Sequence, residues 1–232
     1  DGVQRPLNAV REKSGDRIAR GVSVPALPRD RRWRFVPEPR RQGGMRVDGG
    51  DVLGSVQETE SIRHRILTPP LTQGELLELA PEGDYTIDEV IGRIRLADGN
   101  IEKLRMFHRW PVRTPRPFRR RDHAVQPLIT GQRILDTFYP LLKGGKAAIP
   151  GPFGAGKTML QQQIARWCNA EIVIYVGCGE RGNELTDVLE FMPRLKDPHT
   201  GRPLMERTLL VANTSNMPVV AREASIYVGI TL

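Results

Sequence analysis

Hydrophobic residues in the C-terminal half of the chain form two unbroken runs and three segments with helical spacing. The runs at 172–176 and 208–212 lack alternation, which is typical of strands buried on both faces of a parallel sheet. The spacing predicts helices at 158–169, 184–192 and 219–227. Strands that alternate with helices predict a doubly wound α/β sheet, with ligands at the carboxyl ends of its strands.

Two more elements are expected ahead of these. The apolar run at 147–149 predicts a short buried strand, and residues 130–142 can form a helix. That helix is expected to turn four side chains inward: Ile134, Leu135, Phe138 and Leu142. The helix at 158–169 is expected to bury one face that carries Leu160, Ile164, Trp167 and Cys168.

The first half of the chain has a different pattern, in which prolines and paired glycines interrupt short apolar stretches. This composition argues against helices and leaves strand candidates between the interruptions, at 33–36, 52–56, 65–67 and 75–79. The dipeptide at 98–99, Asp-Gly, lies between alternating runs at 93–96 and 103–106, which predicts a hairpin. We therefore expect a small all-β domain of barrel or sandwich type.

These patterns divide the chain into three parts. Residues 1–22 are predicted to be a connector, residues 23–112 an all-β insert, and residues 113–232 the start of an α/β domain. The stretch at 110–127 is rich in proline and arginine, which predicts an extended linker between the last two parts.

Composition narrows the class of protein. The chain has 232 residues, of which 39% are apolar and 27% charged, and it contains no run of 18 apolar residues that would predict a membrane span. Its net charge of +8 could serve nucleic acid binding. The arginines are scattered, however, and no aromatic stacking motif of the RNA-recognition type accompanies them. We expect a basic surface and no nucleic acid partner.

The two cysteines lack the spacing of metal ligands, and the four histidines are isolated, so a reduced, cytoplasmic setting is expected. Cys168 is predicted to lie in the core. Cys178 follows the strand at 172–176, and whether its thiol is reactive is left open.

Residues 151–158 carry the candidate chemistry, because their sequence is G-x-x-x-x-G-K-T, the phosphate-binding P-loop. Glycines let the backbone wrap a phosphate, and the loop N–H groups converge on it at the positive end of a helix. Lys157 is expected to reach the β and γ phosphates, and the Thr158 hydroxyl to hold Mg²⁺. A chance glycine loop is the alternative, but the predicted strand and helix on either side argue against it.

A second candidate follows the strand at 172–176, because parallel strands bring their carboxyl ends to one edge of the sheet. Glu180 is therefore expected beside the γ-phosphate, where a carboxylate orients and polarises the attacking water. Arg181 could pair with Glu180 or with another carboxylate and fix its direction. A purely structural ion pair between Glu180 and Arg181 is the alternative.

Together these segments closely resemble the catalytic A subunit of V-type and archaeal-type rotary ATPases. The resemblance implies a RecA-like P-loop nucleotide-binding domain, and the β insert resembles the bulge domain of A subunits. It covers the whole chain and rests on seven segments, at 1–6, 49–54, 110–113, 151–158, 175–184, 212–218 and 221–227.

The resemblance also implies roles for individual residues. In this family the glutamate of Gly-Glu-Arg polarises the attacking water, which corresponds to Glu180, and the arginine that follows, here Arg181, helps to hold the catalytic geometry. Ala155 stands where eukaryotic relatives carry a regulatory cysteine, which implies a prokaryotic source without that thiol switch. The implied nucleotide-binding residues are Gly151, Pro152, Phe153, Gly154, Ala155, Gly156, Lys157, Thr158 and Met159.

The implied assembly is a ring of three A and three B subunits, in which B supplies an arginine finger. ATP or ADP with Mg²⁺ would be the ligands, and central stalk and peripheral stator subunits would be partners. The ring would lie on the cytoplasmic side of the membrane and drive H⁺ or Na⁺ transport through a membrane sector that it contacts only indirectly. The family's N-terminal barrel and C-terminal half are missing, so a fragment is expected that alone binds nucleotide weakly and does not turn over.

Two other classes stay open from the residues. A ring-forming RNA translocase with a P-loop would suit the net charge of +8, but the missing RNA-binding aromatic motif argues against it. A non-enzymatic assembly or stator-docking module is the third hypothesis. Partner binding that does not depend on nucleotide would favour it.

Overall fold

The computed structural model describes residues 5–118 and 120–232. The chain divides into two compact units; the first includes the residues up to Pro117 and the second spans Phe118–Gly229. The division falls inside the proline-rich and arginine-rich stretch at 110–127. No helix in the described part of the chain is long and apolar enough to cross a bilayer.

The first unit opens with helix α1, Leu7–Ser14, which ends at Gly15 with a positive φ of 72°. Val10 on this helix is buried. The segment predicted to be a connector therefore contains a short helix that packs one apolar side chain.

Eight antiparallel strands follow in two sheets. The first sheet has the order β4-β3-β1-β6 and contains β1 (Arg32–Pro37), β3 (Val52–Gln57), β4 (Arg63–Leu67) and β6 (Gly83–Thr86). The second has the order β2-β5-β7-β8 and contains β2 (Arg46–Val47), β5 (Gly74–Leu79), β7 (Gly92–Leu96) and β8 (Ile101–Leu104).

The all-β prediction for this region is confirmed, including the hairpin around Gly99, whose φ is 85°. Strands β2 and β6 were not expected, because β2 has two residues and β6 begins with Gly-Asp, a pair depleted in strands. Two clusters of buried side chains form the core. One contains Phe35, Val56, Ile66 and Ile91, and the other Val47, Leu53, Leu76, Ile94 and Leu104.

The second unit begins with a two-stranded antiparallel pair around a short helix: β9 (Pro127–Leu128), α2 (Arg133–Phe138) and β10 (Leu141–Leu142). After it come α3 (Lys157–Trp167), β11 (Val173–Glu180), α4 (Gly182–Phe191), β12 (Thr208–Thr214) and α5 (Val219–Thr231). Strands β11 and β12 are parallel, with Val173 opposite Thr208, as the alternation of strands and helices predicted.

Helices cover both faces of this parallel pair. Tyr175 packs against a buried cluster that includes Ala165 of α3 and Val188 of α4. On the opposite face, a Cβ added to Gly229 of α5 would lie only 2.5 Å from Cγ2 of Val176. Most residues of β11 and β12 are nevertheless half-buried, so the prediction that both strands are fully buried is wrong. Among the described residues the two strands pair only with each other.

Three other expectations need correction. Residues 147–149 form no strand, and Ala147 and Ala148 are exposed, because a strand needs a hydrogen-bonded neighbour and none is described there. Helix α2 stops at Phe138, and Ile134 and Phe138 are exposed by 67% and 74%. Leu142 belongs to β10.

The buried face of α3 also differs from the expected one. Gln162, Ala165 and Cys168 are buried, whereas Trp167 is 38% exposed. The predicted burial of Cys168 is confirmed. The helical periodicity is correct, but α4 and the segments after it decide which stripe of the helix is covered.

A buried ion pair fastens the end of α3. Nε of Arg207 lies 3.3 Å from Oδ2 of Asp197, and both side chains are almost completely buried. Arg207 also donates from Nη1 to the carbonyl of Ala170 at 2.6 Å and from Nη2 to that of Arg166 at 3.2 Å. A cation at the Arg166 carbonyl is favourable because this carbonyl lies in the last turn of α3, at the negative end of the helix dipole.

This pair makes the stability of the unit depend on pH. Burial raises the pKa of Asp197, but hydrogen bonds from the His199 N–H and the Thr200 hydroxyl, with the charge of Arg207, outweigh it, so the net pKa lies below the usual value. A lowered folded-state pKa contributes stability that is present above the unfolded-state pKa of about 3.9 and is lost as the pH falls further.

We expect Asp197→Asn to be less stable than the wild-type chain at pH 7 and to lose less additional stability on acidification below about pH 4. Urea midpoints measured by circular dichroism at both pH values check this. Asp187→Asn, at an exposed position on α4, is the control and should keep the wild-type pH dependence. Equal acid sensitivity of Asp197→Asn and the wild-type chain would contradict the argument.

Candidate functional site

The glycine loop at 151–156 leads directly into α3. Gly154 and Gly156 have φ values of 78° and 80°, in the left-handed region that favours glycine. No atom lies within 4 Å of a Cβ added at either position, so the space beside the loop is open. The first turn of α3, which starts at Lys157, has backbone N–H groups without acceptors inside the helix. Open space, N–H donors and the positive helix end together suit an anion.

Lys157 lies across this loop. Its Nζ donates to the carbonyls of Gly151 and Pro152, both at 2.6 Å. The ammonium group is thus held at the mouth of the loop by contacts within the loop itself. Thr158 and Met159, the next two residues, are exposed.

Glu180 lies at the carboxyl end of β11, where a β-bulge changes the direction of its side chain. The pairing with β12 is regular up to Cys178 opposite Asn213, and Glu180 then lies opposite Thr214. Gly179 is the extra residue and has a φ of 74°. Because side chains alternate along a strand, the extra residue moves Glu180 to the face of Tyr175 and Gly177.

Contacts confirm this placement of the carboxylate. The Tyr175 hydroxyl donates to Oε1 of Glu180 at 3.1 Å. A Cβ added to Gly177 would lie 3.5 Å from Oε2. The Ser215 N–H donates to the Glu180 carbonyl at 2.8 Å, which fixes the backbone at the strand end. Oε2 is buried and has no hydrogen-bond partner among the described residues.

Burial and the nearby charge of Glu180 raise the pKa of Tyr175 well above its usual value. The hydrogen bond from the Tyr175 hydroxyl to Glu180 also raises the pKa of Tyr175, because it stabilises the protonated phenol. The hydroxyl therefore stays a donor at every pH at which the protein would work.

Arg181 joins this strand end to the glycine loop. Its guanidinium carbon lies 4.7 Å from the centroid of the Phe153 ring, a cation–π distance. The ion pair between Glu180 and Arg181, which the sequence left open as one possibility, does not form. Glu180 points back along β11, whereas Arg181 leaves the strand as the residue before α4, so the two side chains diverge.

Two polar residues that lie next to Glu180 and Gly179, Tyr175 and Arg222, were not predicted to be site residues. The Arg222 guanidinium lies over Gly179, since a Cβ there would be 3.1 Å from Nη1. Nε of Arg222 and Oδ1 of the buried Asn213 have no hydrogen-bond partners in the described part of the chain. The only sequence signal for these residues was their position, Tyr175 in β11, Asn213 in β12 and Arg222 in α5.

Cys178 is exposed, and its Sγ donates to the backbone carbonyl of Arg222 at 3.2 Å. The thiol lies in the bulge segment, two residues before Glu180. It is tied to α5 by this contact, and nothing in the geometry assigns it a chemical step.

Comparison with known proteins agrees with both parts of the structure. Residues 24–113 match the family model of the ATP synthase alpha/beta subunit barrel-sandwich domain. Residues 131–232 match the model of the ATP synthase alpha/beta family nucleotide-binding domain.

Individual relatives match over the whole chain. It is 67% identical over 232 residues to a V-type ATP synthase alpha chain from Nitrosococcus oceani. It is 61% identical over the same length to the A subunit of the A-type ATP synthase from Thermococcus kodakarensis. In both comparisons all of this chain aligns with 39% of the relative, so it spans about two fifths of the relatives' length.

Proposed function

We propose, since the chain belongs to the ATP synthase alpha/beta family, that it is part of the catalytic subunit of a V-type or A-type rotary ATP synthase. The whole protein would hydrolyse or synthesise ATP and couple the reaction to H⁺ or Na⁺ transport across a membrane. The observation that best supports the proposal is the contact of Phe153 with Arg181, because it links the glycine loop to the residue that follows Glu180.

The proposed organisation has three parts: a connector at 1–22, a bulge domain at 23–112 and the beginning of a RecA-like P-loop domain at 113–232. The two sheets of the first unit support the bulge domain. The parallel pairing of β11 with β12, with helices on both faces, supports the P-loop domain.

The residues at 151–159 form the proposed phosphate site. The open, left-handed glycines let the backbone approach the phosphates, and Lys157 would exchange its carbonyl acceptors for phosphate oxygens. No group of three acidic, histidine or cysteine side chains converges within the described residues to hold a metal. From its place in the loop motif, the Thr158 hydroxyl would hold Mg²⁺ together with the phosphates, and the metal would neutralise phosphate charge.

Glu180 is the proposed catalytic carboxylate. Its Oε2 is free of protein hydrogen bonds among the described residues and could accept one from the attacking water. Arg181 lies over Phe153 and would hold the glycine loop and the end of β11 in a fixed relative position. The Arg222 guanidinium lies over Gly179 and would add positive charge beside the same strand end.

The names of the relatives, which are components of ATP synthases, support partner subunits in general, and the specific assembly is part of the proposal. Three copies would alternate with three B subunits that each supply an arginine finger. Stalk and stator subunits would link this ring to a membrane sector, and the ring itself would lie on the cytoplasmic side of a prokaryotic membrane. No nucleic acid partner is proposed.

Titration of the full-length subunit with nucleotide tests the proposal. We expect saturable binding of ATP and ADP in the presence of Mg²⁺ and no competition by adenosine, because the loop at 151–158 recognises phosphates. Absence of ATP binding would refute the proposal. Salt-dependent binding of RNA with no ATP synthase activity would instead favour an RNA translocase, the class that the net charge of +8 could serve.

A further inference from the structure

Tyr175 contacts the proposed catalytic carboxylate from inside the protein. Its hydroxyl lies 3.1 Å from Oε1 of Glu180, and the two residues are five positions apart on the same strand. Residues at this separation lie on opposite faces of a regular strand. The bulge at Gly179 brings them to one face, so the contact depends on an irregularity of β11.

The Tyr175 ring is anchored by packing. It lies against the buried cluster formed by Ala165, Val188, Met192, Leu195 and Leu204. A ring that packs between two helices keeps its hydroxyl in one place, which a long, flexible side chain would not do. The hydroxyl is thus a rigid donor for a carboxylate at a strand end.

The two carboxylate oxygens of Glu180 have different surroundings. Oε1 accepts the Tyr175 hydrogen bond, while Oε2 is buried without a partner in the described part of the chain. A buried carboxylate oxygen without a partner is costly, and such atoms persist where a ligand or water completes the site. The asymmetry leaves Oε2 as the one carboxylate oxygen of Glu180 without a protein partner among the described residues.

We propose that Tyr175 is a positioning residue, whose hydroxyl holds Oε1 of Glu180 so that Oε2 is presented to the water that attacks the γ-phosphate. This inference rests on the proposed function, because it requires Glu180 to act on that water. Tyr175 itself touches neither nucleotide nor water in the proposed step. The raised pKa of its phenol agrees with a permanent donor.

Tyr175→Phe in the full-length protein, assembled with its partners, tests the inference because it removes the hydroxyl and keeps the ring. We expect kcat for ATP hydrolysis to fall about tenfold, as for loss of a hydrogen bond to a charged group, with KM changed less than twofold. Tyr85→Phe is the matched control, since the Tyr85 hydroxyl donates at the same 3.1 Å to a neutral carbonyl, that of Pro81, in the β-sheet unit. It should keep the wild-type kcat.

A double-mutant cycle separates positioning from packing. If Tyr175 acts through Glu180, Tyr175→Phe should have no further effect on the residual rate of Glu180→Gln. A tenfold loss in both backgrounds would overturn the inference, because the hydroxyl would then act by another route. An unchanged or increased kcat in Tyr175→Phe alone would also overturn it.

A crystal structure of the Tyr175→Phe complex gives a readout that does not depend on activity. We expect the Glu180 side chain to occupy more than one rotamer, and a single unchanged rotamer would count against positioning. Failure of the proposed function has a different signature. If Glu180→Gln hydrolysed ATP at the wild-type rate, the proposed role of Glu180 itself would be wrong. If Glu180→Gln were inactive while Tyr175→Phe remained fully active, only the proposed role of Tyr175 would be wrong.

Discussion

Replacement of Glu180 by glutamine in the full-length, assembled complex is expected to lower steady-state ATP hydrolysis about a thousandfold, within the usual range for loss of a general base. The amide has nearly the same shape and can still accept the Tyr175 hydrogen bond, but it carries no negative charge and cannot polarise water. Nucleotide affinity should be almost unchanged, because the phosphate contacts come from the loop at 151–158.

Both the rate of ATP hydrolysis and the affinity for nucleotide have to be measured for Glu180→Gln and for a control variant. Glu190→Gln is the matched control, since Glu190 is an exposed residue of α4 whose closest cation, Arg194, lies 4.0 Å away. That variant should hydrolyse ATP at the wild-type rate. If Glu180→Gln lost affinity and rate in equal measure, Glu180 would be a binding residue and the proposed role would be wrong.

Lys157→Ala is expected to weaken ATP binding about a hundredfold, or roughly 3 kcal/mol, which is the scale of a lost hydrogen bond to a charged group. In the free protein the ammonium is held at 2.6 Å by the carbonyls of Gly151 and Pro152. Phosphate oxygens are stronger acceptors than carbonyls, so the lysine gains more from the phosphates than it loses in the loop. Calorimetric titration of the full-length subunit measures the change.

Lys146→Ala provides the control for this experiment, because Lys146 is an exposed lysine five residues before the loop. It removes the same charge from the same stretch of chain but lies outside the motif. Equal effects of the two substitutions would show that only net charge matters and that Lys157 makes no specific phosphate contact. Lys146→Ala is expected to bind ATP more tightly than Lys157→Ala. This difference should remain at raised salt, because salt screens only the long-range effect of charge.

Local sequence rules were sufficient wherever a feature depends on neighbours along the chain. The strands at 52–56 and 75–79 were found from apolar stretches between turn residues, and the hairpin at Gly99 from its Asp-Gly pair. The parallel strands β11 and β12 were recognised from unbroken apolar runs. In each case the local pattern indicated an extended or turning backbone, and the strands found there also have pairing partners.

Predictions that depended on a distant neighbour were less successful. The apolar run at 147–149 is not a strand, since strand formation requires a pairing partner that the run itself does not specify. In α3 the helical period was correct, but the covered stripe contains Gln162 and Ala165 because α4 and the segments after it pack there. Amphipathic spacing predicts a helix but does not identify the element that packs against it.

For the site, the amino-acid sequence was enough to identify the chemical groups: a glycine loop, a lysine at its end, and a glutamate that follows an apolar run. How these groups meet depends on the folded chain. It placed Arg181 over Phe153 and not on Glu180, and it turned Glu180 toward Tyr175. The physical reason is the bulge at Gly179. An extra residue is defined only relative to the register of a partner strand, so it exists once β11 is paired with β12 and cannot be read from either strand alone.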